Sequence, residues 1–134
     1  MRTSFASLAA LAALLTLAIP SADAQRVGIA AQTLQSFDDA TMPAKEFRVL
    51  RTTYAPSGQN PKHRHTSHVV FYVLEGAGVW QEEGKEPVTL KPGDTLHVRP
   101  GIVHSHRNAS ASEKLVFLEF VIAEKGERST IPVR

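Results

Sequence analysis

The sequence contains no cysteine, and only one of its 134 residues is tryptophan. Without thiols there can be no disulfide scaffold, thiolate metal site or cysteine nucleophile. An excess of one charge is also lacking: 15 Lys+Arg face 13 Asp+Glu, with no basic run. That balance leaves no nucleic-acid footprint, and no nucleic-acid partner is expected. The most apolar stretch, Leu8–Ile19, is only twelve residues long. As a helix it would reach about 18 Å, against a hydrocarbon core of about 30 Å. No Ser-His-Asp arrangement, P-loop or glycine-rich dinucleotide fingerprint occurs.

What is present at the start has the order of a secretory leader. Arg2 gives a positive first region, Leu8–Ile19 the apolar region, and Ala22-Asp23-Ala24 a small-residue cleavage site. Residues 1–24 are therefore expected to be a signal peptide, placing the mature protein in the periplasm or outside the cell with no remaining membrane attachment. Residues 25–134 form one domain's length of chain. In an oxidising compartment without cysteine, packing, a metal or a partner subunit must supply the stability.

The mature chain reads as short strands between turn signals. Residues 25–45 form a polar N-terminal segment, with a short strand expected over Thr33–Ser36. Glu46–Tyr54 alternates and is rich in β-branched and aromatic side chains, and Ala55–Pro61 is a turn cluster. His68–Leu74, Ala77–Glu82, Val88–Leu90 and Thr95–Val98 continue the rhythm, and Lys114–Ala123 ends it before a tail over residues 124–134. Turn signals recurring at this interval predict an all-β sandwich or barrel, with no helix.

Two of these strands, His68–Leu74 and Lys114–Ala123, are apolar on both faces. One face can fill a barrel; the other needs a second sheet or subunit. A homodimer is expected, through Leu115/Phe117/Val121 or through Val70/Tyr72/Leu74, unless Ile29, Leu34 and Phe37 of the N-terminal segment fold over that surface.

All six histidines fall between positions 63 and 106. His63 and His65 lie two apart, so on an extended segment both rings project to one face. His104 and His106 repeat the spacing. Two such pairs on adjacent strands can converge on one point, as ligation of a metal by neutral imidazole requires.

These residues carry a family resemblance. Gly58, His63-x-His65 and Gly76 match the first motif of the cupin superfamily. Gly93, Pro100, Gly101, His104 and Asn108 match the second, with the proline displaced by one place. The chain resembles a small single-domain secreted bacterial cupin, with residues 46–123 as its barrel. The resemblance implies a double-stranded β-helix, or jelly-roll. It also implies metal ligation by His63, His65 and His104, whereas the position of the family's glutamate ligand is taken by Val69. A three-histidine set suits a divalent transition metal such as Zn, Fe, Ni, Mn or Cu. His106 ranks first as an additional site residue, with His68 and Glu119 as further candidates. Glu119 is the one charge within Leu115–Ile122, which for a strand of that kind points to solvent or a partner. Arg99 lies near the barrel mouth by motif position.

Two functional classes follow. One is a metal-dependent oxygenase, isomerase or lyase acting on a small organic substrate; the other is a non-catalytic module binding a small ligand or metal. The fold does not choose between them.

Overall fold

The structure, a computed structural model, describes residues 27–133; residues 1–24, expected to be a signal peptide, lie outside the described residues. These residues form nine strands and no helix. They are β1 (Val27–Asp39), β2 (Met42–His65), β3 (His68–Glu75), β4 (Gly78–Glu82), β5 (Val88–Leu90), β6 (Thr95–Val98), β7 (His104–Asn108), β8 (Leu115–Glu124) and β9 (Thr130–Pro132). All pairings are antiparallel. The all-β jelly-roll expectation holds.

β2 organises the barrel. Its first half, Lys45–Tyr54, lies between β1 and β8, and β3 and β6 follow in the order β1-β2-β8-β3-β6. Its second half pairs with β7 and β9, and β4 and β5 follow beyond β7. The turn cluster at Ala55–Pro61 therefore bends the strand from one sheet into the other without ending it. Ser57 takes a left-handed φ of 59° at the bend. Asn108 fastens it: the side-chain amide donates to the Ala55 carbonyl at 3.0 Å and the Glu113 carbonyl at 2.7 Å. A buried amide with these partners serves architecture.

The N-terminal segment forms a longer strand than Thr33–Ser36, thirteen residues pairing edge to edge with β2. Weak apolar patterning hid it, because the ladder of backbone hydrogen bonds, rather than buried side chains, holds this strand. It does not cover the outer face. Ile29 packs on the core, whereas Leu34 and Phe37 are exposed.

The core is Tyr54, Val69, Phe71, Val73, Trp80, Val98, Leu115, Phe117, Val121 and Ala123. Leu115, Phe117 and Val121 thus point inward, correcting one of the two outer faces expected above. The outward side of β8 is Leu118, Phe120 and Ile122, next to Val70 and Tyr72 on β3. Phe37 and Phe47 extend this face, their rings stacked at 5.1 Å.

Candidate metal centre

The bend in β2 brings both histidine pairs together. His63 on β2 lies directly opposite His104 on β7, and Asn60 opposite His106. A register shift between Asn60 and His63 sets the stagger. His63, His65 and His104 are buried and His106 is half-buried. Ligand atoms of His63, His104 and His106 all lie within 4.8 Å of one another. The His65 ring centroid is 5.1 Å from that of His63 and 5.0 Å from that of His104. Four imidazoles therefore share one end of the barrel.

Their outer contacts fix which nitrogen faces inward. The Nδ1 of His63 bonds to the Pro61 carbonyl at 2.7 Å and that of His104 to the Ile102 carbonyl at 2.8 Å. The Nδ1 of His65 reaches the Ser129 carbonyl at 3.2 Å. A carbonyl only accepts, so Nδ1 carries the proton on each ring and Nε2 presents a lone pair. This is the tautomer and outer-shell support typical of metal-bound histidine. Nε2 of His104 is buried and has no hydrogen-bond partner among the described residues. A buried acceptor in that state fits a metal, and so does the nitrogen-rich donor set.

His106 is held differently, by the Tyr54 hydroxyl at 2.6 Å from its Nδ1. Trp80 stacks on His104 at 3.9 Å and lies parallel to His106 at 5.7 Å. Phe71 and Phe117 complete an aromatic floor. His65 and His106 also border a cavity of about 160 Å³, whose walls include Arg48, Thr52, Tyr54 and Glu119.

Glu119 faces this cavity, not solvent or a partner: Thr52 Oγ1 donates to its Oε1 at 2.5 Å. Its strand parity matches Phe117 and Val121, so the barrel mouth places a carboxylate where apolar patterning points outward. Val69 is fully buried in the core between Val98 and Val121. His68 lies on the exposed outer face, its Nδ1 2.9 Å from Nε2 of His97. The structure gathers His63, His65, His104, His106 and Glu119 and leaves His68 outside. Arg99 is exposed. Sequence reasoning missed Arg48, Thr52 and Tyr54. They share the parity of Leu50 along β2, and that parity was the only available signal.

The His104 pKa is pushed down to about 3, chiefly by burial and then by the neighbouring His63; the Ile102 carbonyl opposes the shift. His104 is therefore neutral, and ready to ligate, at ordinary pH. The unfolded chain binds this proton near pH 6.5 and the folded chain does not, so acid favours unfolding. Between pH 6.5 and about 3, the metal-free protein should lose stability at up to about 1.4 kcal/mol per pH unit from this group. Urea unfolding across a pH series measures the slope; a flat profile would reject the neutral, buried His104.

Residues 50–121 match the Cupin_2 family, a cupin domain. The chain is a cupin. Quercetin 2,3-dioxygenase of Bacillus subtilis (strain 168) is 40% identical to it over 67 residues, 45% of this chain and 20% of the dioxygenase. Auxin-binding protein T85 of Nicotiana tabacum is 31% identical over 83 residues, 55% of this chain and 44% of that protein. This cupin thus spans less than half the length of these curated relatives. Among solved structures, a cupin-2 domain of Rhodospirillum rubrum superposes with a TM-score of 0.66 at 22% identity, covering 88% of this chain and 74% of the other.

Proposed function

We propose that this cupin is a metal-dependent enzyme acting on a small organic substrate, with a divalent transition metal held by His63, His65, His104 and His106. The observation that carries the reading is the cluster of His63, His104 and His106 beside a cavity lined by His65, His106 and Glu119. In this reading His106 takes the role left open by Val69. The bound metal would supply Lewis acidity or oxygen activation. Glu119 would accept a proton from substrate at its carboxylate, with Thr52 holding one oxygen in place. Tyr54 would fix the His106 ring. A cavity of about 160 Å³ is below the roughly 300–1,000 Å³ of drug-sized sites, which favours a small substrate. Similarity to a dioxygenase supports the enzymatic reading; similarity to an auxin-binding protein keeps ligand binding without turnover as the alternative.

Anaerobic reconstitution with Fe(II), Ni(II), Mn(II) and Zn(II), followed by metal analysis, should give about one equivalent per chain. Oxygen-uptake and proton-release screens on the loaded protein then separate enzyme from binder. Failure to retain any of these metals would reject the site.

The residues 1–24 pattern supports a periplasmic or secreted location. The outer face supports a homodimer: Phe37, Tyr72, Phe120 and Ile122 are 47%, 38%, 42% and 41% exposed on one sheet. Contiguous apolar surface of this kind marks an interaction site, and a twofold pairing is the commonest solution. Light scattering at micromolar concentration should give twice the chain mass, and Phe120→Asp should reduce it to one. A wild-type mass of one chain would reject the dimer.

A further inference from the structure

One charged group in the cavity has no part in the reading above. Arg48 lies on the inward side of β2, opposite Val121 of β8, and lines the same cavity as His65, His106 and Glu119. Its Nε and Nη2 are buried, and neither has a hydrogen-bond partner among the described residues. The carboxylate of Glu46 stands 4.0 Å from Nε, beyond hydrogen-bond reach. The other oxygen of Glu46 already accepts from Ser36 Oγ at 2.8 Å. A guanidinium with buried, unused donors is costly to maintain, and such groups call for an acceptor.

We infer that Arg48 is the anchor for a carboxylate on the substrate, so that this cupin acts on small organic acids. The inference rests on the proposed metal site for the position of the reacting end. The guanidinium fork matches a carboxylate in geometry and charge, and the pairing is strong where water is excluded. Ile29, Leu50 and Val121 on the same walls offer contact to a short apolar body. An acid held at Arg48 leaves its carbon skeleton between the anchor and the histidines, within reach of the Glu119 carboxylate.

Calorimetric titration of the metal-loaded full chain with propionate and benzoate, against propionamide and benzamide, tests the assignment. The wild-type protein should bind the acids at least ~10-fold more tightly than the amides, as a charge-assisted pair requires. Arg48→Gln should erase that preference while amide affinity and metal content stay unchanged, and Arg48→Lys should keep part of it. A wild-type protein without acid preference, or an Arg48→Gln variant that retains it, overturns the inference. Inorganic phosphate binding as tightly as the acids overturns the organic-acid class. Repeating the titration without metal separates the two readings. A preference that depends on Arg48 in a chain that retains no metal upholds the anchor while the metal centre fails. A preference that vanishes with His104→Ala yet survives Arg48→Gln belongs to the metal, and the anchor fails.

Discussion

Replacing Gly76 with alanine should lower stability by about 3 kcal/mol or more, the sum of a left-handed backbone penalty and a steric one. Gly76 turns the chain from β3 into β4 with φ of 76°, a conformation that side chains rarely adopt. A Cβ there would stand 2.3 Å from the Lys114 carbonyl oxygen and 3.1 Å from Leu115 Cα. Both are backbone atoms at the start of β8, so neither can swing away. For a domain of this size each kcal/mol is worth roughly 4–8 °C, so melting should fall by more than about 10 °C. Gly84 provides the control. It has nearly the same φ, 78°, but nothing within 4 Å of its Cβ direction. Gly84→Ala should cost only the backbone term, about 1 kcal/mol. Thermal and urea unfolding of the two variants make the comparison, and equal losses would contradict the close approach of β8 at Gly76.

His104→Ala should weaken metal binding on the order of 100-fold or more. Disturbing the outer partner of a metal histidine already costs 10–100-fold, and here the ligand itself is removed. His104 sits between His63 at 4.2 Å and Trp80 at 3.9 Å, so no other ring can take its place without moving the aromatic floor. Chelator competition measures the loss, and His68→Ala on the outer face should leave affinity at the wild-type value. Metal-free His104→Ala should also lose most of the stability slope between pH 6.5 and about 3, because the group responsible for it is gone. Metal affinity unchanged in His104→Ala would remove His104 from the centre.

The two histidine pairs were legible because strand parity is a local property. Residues two apart share a face wherever the strand lies, so His63 with His65 and His104 with His106 follow from spacing alone. Turn chemistry is equally local: positive φ at Gly76, Gly93 and Gly101 marks the corners that the motif glycines predicted. The absence of cysteine likewise confined metal ligation to nitrogen and oxygen donors.

Which face of each strand is inside could not be settled locally. β8 carries Leu115, Phe117 and Val121 on one face and Leu118, Phe120 and Ile122 on the other. Glu119 shares the first face, so local hydropathy turns that face outward. The barrel reverses this, because its interior is apolar at one end and open at the other, and Glu119 lies where it opens. The same ambiguity hid Arg48, Thr52 and Tyr54, whose strand has apolar side chains on both faces. β1 was obscured for a different reason: its stability comes from a backbone ladder with β2, which side-chain pattern does not report. The sequence by itself determined the strands' rhythm, the corners and the paired histidines, since each depends on neighbours in the chain. Only closure of the two sheets around β2 decided which side chains share the cavity, since that depends on contacts between residues far apart in sequence.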